Sequence, residues 1–207
     1  YGSNKVKFGA YYGGSSKRNI KNVDLKNNRK NTWGTGLIFD HEIDSIQNVT
    51  VAAGFTREIS ENANKTAYYS NAYALGLAYN FVHTTYGLDF AHKDTKNKDG
   101  AGNKVKNNEV TAVIRQGLNE DWNVYAMYSY KTEKTLPVGS AYSKSTDRQF
   151  LVGTEYYVYN QGSLKVKPFL EWQATRTKYE NTFDKDSGKQ LDRSRDFKTV
   201  IGLRAYW

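Results

Sequence analysis

Phe197-Lys-Thr-Val-Ile-Gly-Leu-Arg-Ala-Tyr-Trp207 is the stretch that decides the fold. Phe197, Thr199, Ile201, Leu203, Ala205 and Trp207 are apolar or uncharged, while Lys198, Val200, Gly202, Arg204 and Tyr206 between them are polar, small or charged. A period of two residues puts these sets on opposite faces of one extended strand. One face is greasy along its whole length and finishes on an aromatic ring. The other carries cations.

The same alternation recurs in ten segments: 5–14, 32–42, 48–58, 68–81, 85–93, 105–118, 122–132, 148–159, 164–177 and 196–207. Each is long enough for the roughly 9–11 residues with which a tilted strand crosses a bilayer. Helical periodicity is sustained nowhere. Pro137 falls in a connection, and Pro168 removes one ladder bond, which an irregular position tolerates. The connections alternate in length. Short ones sit at 44–47, 82–84, 119–121 and 160–163, and longer polar ones at 15–30, 60–65, 94–104, 133–146 and 179–195. Short turns at one rim and long loops at the other predict a transmembrane antiparallel up-and-down β-barrel, one domain over 1–207, with about ten strands and twelve as the other count.

Composition agrees. The chain has 207 residues, no cysteine, two prolines, four tryptophans, seventeen tyrosines and a net charge of +9. Disulfides, thiolate metal sites and cysteine nucleophiles are excluded. A mean hydropathy of -0.78 suits a barrel, in which only alternate residues meet lipid. No leader is visible at Tyr1, which reads as a mature exported chain or a cytosolic one, the first fitting the rest better. A soluble barrel has the same period with its faces reversed. Against it stand five Gly-Leu pairs in one phase (36–37, 76–77, 87–88, 117–118 and 202–203), with leucine always on the greasy face. Interfacial aromatics fall at two heights: Tyr79, Phe81, Trp122, Tyr156 and Trp207 toward the short-turn rim, and Tyr12, Trp33, Tyr69 and Tyr130 toward the other.

The strand ending in Trp207 resembles the C-terminal signature of bacterial outer-membrane β-barrels. Among small monomeric barrels the chain looks most like the acidic-sugar porins, the oligogalacturonate and sialic-acid channels. That resemblance implies a basic lumen, twelve strands and passage of acidic oligosaccharides or other small anions.

With the greasy face turned to lipid, the lumen receives Lys7, Arg115, Lys131, Lys165, Lys167, Lys198 and Arg204, together with Asp40, Asp89, Glu109, Glu155 and Glu171. Two readings follow. The bases form tracks that draw anions through a narrow pore, or they pair with the acids and stabilise a filled barrel. Glycine, alanine and serine on the inner face leave interior room and favour the pore. Lys165, Lys167, Lys198 and Arg204 are expected to gather positive charge on one wall, with Lys7 closing beside them. Tyr11, Tyr125, Tyr157 and Tyr206 face the same space, as stacking surfaces for sugars or as filler.

Lys17, Arg18, Lys21, Lys26, Arg29 and Lys30 lie in the outer loops and suit anionic lipid headgroups, lipopolysaccharide included, or acidic solutes. No nucleic-acid-reading element accompanies the charge. His92 with Asp94 is a weak catalytic pair and no enzyme is expected; His41 with Glu42 reads as a rim pair. Neither a metal nor a cofactor is expected. The predicted function is an anion-preferring porin-like channel of the bacterial outer membrane, against a non-conducting barrel that binds partners through its Lys/Asn-rich loops.

Overall fold

Alternation of this kind can only bury polar backbone by pairing strand with strand, and every described strand does so. The computed structural model describes residues 3–14, 27–62, 67–97, 104–137, 141–161, 164–183 and 188–206. Eleven strands follow one another: β1 (Asn4–Gly13), β2 (Asn27–Asp44), β3 (Gln47–Asn62), β4 (Ala67–Phe81), β5 (Thr84–Asn97), β6 (Lys104–Gly117), β7 (Trp122–Leu136), β8 (Ser143–Tyr156), β9 (Tyr159–Gln161), β10 (Leu164–Glu180) and β11 (Arg193–Tyr206). All pairings are antiparallel and run in sequence order from β1 to β8, then to β10 and β11. The fold is an all-β up-and-down sheet. It is open: β1 and β11 are its edges and do not pair with each other.

The expected tenfold count is corrected by β9. Across from β10, Glu155 faces Phe169 but Tyr159 faces Val166, so the 148–159 segment gains one residue on its partner. The irregularity lies opposite Pro168, which has no N–H to give the ladder. The segment therefore breaks at Tyr157 and Val158, and the short β9 resumes the pairing. Twelve strands are not seen among the described residues.

Most strands also run further than the alternation at the long-loop end. β2 begins at Asn27 and β8 at Ser143, and β10 continues to Glu180. These extensions are polar on both faces, so they carry no amphipathic signal, yet their backbones pair, with a register shift between Arg29 and Asn31 on β2. Arg29 and Lys30 thus fall on β2, while Lys17, Arg18, Lys21, Lys26 and Trp207 lie outside the described residues.

The short turns are set by side chains. Asp44 Oδ1 accepts from Ile46 N at 2.9 Å, and its Oδ2 accepts from Gln47 Nε2 at 2.8 Å. Asn119 Oδ1 accepts from the N–H groups of Asp121 and Trp122 at 2.9 and 2.8 Å. The turn between β4 and β5 instead places Val82 at φ 53°, which is uncommon for a β-branched residue.

Among the described residues no hydrophobic side chain is buried. The large apolar side chains line one face: Phe8 is 72% and Ile201 80% exposed, with Leu75, Leu88, Phe150, Leu170 and Leu203 in the same phase. What is buried is polar, with Glu155 and Lys167 the most enclosed charges. An ordinary soluble domain has the opposite arrangement.

Candidate functional site

The opposite, polar face of β6 to β11 carries the densest side-chain network among the described residues. Register sets it up. Arg115, Tyr125, Gly153 and Glu171 lie abreast on β6, β7, β8 and β10. Glu155 belongs to the adjoining row, and Lys167 faces Arg204 on β11. Glu155 Oε1 accepts from Arg115 Nη2 at 2.9 Å, while its Oε2 accepts from Lys167 Nζ at 2.9 Å and from Arg204 Nη1 at 3.1 Å. Arg204 Nη2 turns to Glu171 Oε1 at 2.8 Å, and the Tyr125 hydroxyl donates to the same oxygen at 2.6 Å. The Glu155 side chain is 4% exposed and that of Lys167 8%. A carboxylate so enclosed is tolerable only with cations around it. Three cations against two carboxylates leave the cluster with one unbalanced positive charge.

Rings complete the enclosure. Lys167 Nζ lies 5.0 Å from the Tyr157 ring and 5.3 Å from that of Tyr206. The Arg204 guanidinium sits 4.1 Å above Phe169. Cations are held over ring faces by the ring quadrupole.

Glycines on this face are seats for rings. A Cβ at Gly153 would come within 2.5 Å of the Tyr125 ring, and one at Gly34 within 2.6 Å of the Tyr11 ring. One at Gly202 would strike Phe169. Each aromatic lies directly opposite its glycine in the register. Tyr11 crosses Gly34 to reach Thr56 Oγ1 at 2.8 Å, as Tyr125 crosses Gly153 to reach Glu171. The expectation that inner-face glycine leaves room therefore fails at these positions. It holds at Gly9, Gly36 and Gly54 on β1 to β3, where nothing lies within 4 Å of a Cβ at Gly9 and only backbone oxygens at 3.7–3.8 Å approach the other two. With Ala74 next to Gly54 in the same row and Ala52, Ala72 and Ala78 in the same phase, that part of the polar face carries few side chains beyond a methyl.

The basic residues read from the sequence thus divide. Arg115, Lys167 and Arg204 are ion-paired at the cluster. Lys131, Lys165 and Lys198 are exposed and in no ion pair among the described residues. Lys7, 70% exposed, has Asp40 Oδ2 at 3.9 Å, and β1 does not adjoin β11, so the expected juxtaposition with Arg204 is not formed. Among the acids, Asp40 accepts from Thr50 Oγ1 at 2.7 Å and Glu109 from Ser129 Oγ at 3.2 Å. Asp89 lies over Gly76, its Oδ1 2.7 Å from where a Cβ would stand.

Trp33, Tyr79, Phe81, Trp122 and Tyr156 share the apolar face. Trp33 meets Phe55 edge-on at 5.1 Å, and Tyr79 stacks on Tyr86 at 6.2 Å. Trp122 donates through Nε1 to Thr154 Oγ1 at 2.7 Å; Phe81 and Tyr156 are exposed.

The rim pair of His41 and Glu42 is corrected: His41 Nδ1 meets Asn4 Oδ1 and Glu42 accepts from Ser3 Oγ, both at 2.7 Å. Neighbours in a strand point to opposite faces, so each takes a different partner, Asn4 at the start of β1 and Ser3 just before it. His92 lies between Asn108, 2.7 Å from Nδ1, and Asp94, 3.3 Å from Nε2. No group of three possible metal ligands gathers among the described residues.

No family model matches the chain, and neither a curated protein nor a solved structure does.

Sequence reading missed the hub role of Glu155 and the bridge from Tyr125 to Glu171. Both depend on strand register, which periodicity alone leaves free. The one available signal was that tyrosine and glycine share the polar phase on successive strands.

Proposed function

We propose that this chain is a small outer-membrane β-barrel that conducts ions and small solutes through a narrow, cation-lined passage. Ten strands make up the continuous path, an even number, so β1 and β11 run antiparallel and can close the sheet without a parallel junction. An open edge in hydrocarbon leaves backbone groups unsatisfied at several kcal/mol each, which supplies the drive to close. The apolar stretch from Phe197 to Ala205 covers about 26 Å along its strand, or about 20 Å when tilted by about 40°, close to the apolar height of such barrels.

The observation that carries the conducting reading is the contrast between the two halves of the polar face. Gly9, Gly36, Gly54 and Ala74 leave one row across β1 to β4 bare. Lys131, Lys165 and Lys198, in no ion pair among the described residues, are the cations of the other half open to a solute. Small anions, acidic sugars among them, are the solutes that such cations favour. The buried Glu155 cluster favours a second reading, a barrel filled by its own side chains that works through its outer loops.

Single-channel recording of the folded protein in a planar bilayer under a salt gradient decides between them. Steady conductance with an anion-biased reversal potential is expected, the bias falling when Lys131, Lys165 and Lys198 are replaced by glutamine. An inserted yet electrically silent barrel overturns the channel reading.

A further inference from the structure

The apolar face of β7, β8, β10 and β11 stops at a band of cations. Its last apolar row is Tyr128, Phe150, Ala174 and Phe197, abreast on the four strands. In the next row on the same face, register sets Tyr130, Arg148, Arg176 and Arg195 side by side. Beyond it come Lys178 opposite Arg193, then Lys144 opposite Glu180.

Like charges directly opposite one another destabilise a sheet, and here three arginines stand in line. None of the three forms an ion pair among the described residues, and all are exposed. Glu180 is shared by Lys144 at 3.8 Å and Lys178 at 3.7 Å, so its charge is spent within the band. A recess of 290 Å³ opens between these strands, lined by Tyr130, Arg148, Arg176, Lys178 and Arg193 among others. Adjacent guanidinium forks about 5 Å apart can hold several oxygens of one tetrahedral anion, each by paired N–H donors.

We propose that this recess binds the phosphate headgroup of an anionic membrane lipid. The assignment rests on the reading that the apolar face meets lipid. It goes beyond that reading by naming a specific site and its chemistry. Position selects a lipid over a free anion: the arginine row directly adjoins Phe150 and Phe197, and Phe197 stacks on Trp172 at 6.1 Å. A headgroup held by the arginines lays its acyl chains along these rings. The bound phosphate removes the repulsion within the row, so lipid binding stabilises the folded sheet.

The test uses the full chain folded in neutral detergent micelles and follows its thermal unfolding. Phosphatidic acid, diacylglycerol with the same acyl chains, and inorganic phosphate are added separately. Phosphatidic acid is expected to raise the unfolding temperature at concentrations at least tenfold below those needed of the other two. The R148Q/R176Q/R195Q variant should lose that preference while remaining at least as stable as the parent without lipid, because its repulsion is gone. Equal responses to phosphatidic acid and diacylglycerol overturn the site, as does an unchanged preference in the variant. Stabilisation by inorganic phosphate at the same concentration overturns the lipid assignment. Should the triple variant not fold, K178Q/R193Q makes the same comparison. Flotation with vesicles of neutral phosphatidylcholine separates the premises: failure to float removes the membrane reading and this site with it, whereas flotation without phosphate preference removes the site alone.

Discussion

Tyr125 and Glu171 are joined by a hydrogen bond of 2.6 Å although a whole strand lies between them. The intervening residue is Gly153, and the tyrosine ring crosses it where any Cβ would block the way. A small residue on one strand therefore decides whether two others can communicate.

Gly153→Ala tests that dependence. It should destabilise the folded protein by about 1–3 kcal/mol through forced displacement of the ring. Gly54→Ala, where only a backbone oxygen at 3.8 Å is near, should change stability by less than about 0.5 kcal/mol. Urea unfolding of vesicle-inserted protein measures both, and equal effects would refute the seating of the ring.

Glu155 holds three cations with one side chain. Glu155→Gln leaves Lys167 enclosed without its counter-charge and should cost about 3 kcal/mol, the lower end for a broken buried pair, because Arg115 and Arg204 retain access to solvent. Glu109→Gln, whose partners are the hydroxyls of Ser129 and Thr111, should cost far less. The ratio of the two unfolding free energies is the informative number.

Leu75 is 46% exposed on the apolar face in the middle of β4. Leu75→Lys should reduce stability in a bilayer by about 2–4 kcal/mol and leave detergent-folded protein less affected. Ala74→Lys, one residue along on the polar face, should be tolerated in both. A matching loss at both positions would mean that the faces are assigned wrongly.

Closure can be read chemically, since the chain contains no cysteine. Cysteine pairs scanned between β1 and β11 should oxidise at one register only, giving a ring that migrates differently when unfolded. Absence of any cross-link across the scan would leave the sheet open.

Val82 occupies φ 53° in a two-residue turn. Val82→Gly should stabilise the hairpin of β4 and β5 by about 1 kcal/mol, because glycine adopts that backbone without a Cβ clash. Thermal unfolding checks the sign.

The legible part of the fold was whatever repeats every two residues. Ile201 and Leu203 against Arg204 disclosed their faces unaided, and the short turns were announced by Asp44 and Asn119. The polar ends of β2, β8 and β10 were silent, since Asn, Lys, Ser and Thr on both faces give no alternation, while backbone pairing needs none. The break at Tyr157 was half legible: Pro168 demanded an irregularity, but only the register shows that β8 yields to it. At the site the residue types were visible and their pairing was not. Arg115 and Glu155 are forty residues apart, and nothing local says that they meet. The arginine row was hidden for the same reason, because Arg148, Arg176 and Arg195 become neighbours only once three strands are in register.

The order of strands also governs how the chain can be made. Each long strand pairs with those immediately before and after it, so only the proposed closure of β1 on β11 waits for a distant segment to appear. Contacts between sequence neighbours form fastest, because little loop entropy is lost in closing them. The sheet can therefore grow hairpin by hairpin in the order of synthesis, and a chain halted after any hairpin already holds the final register of everything before it.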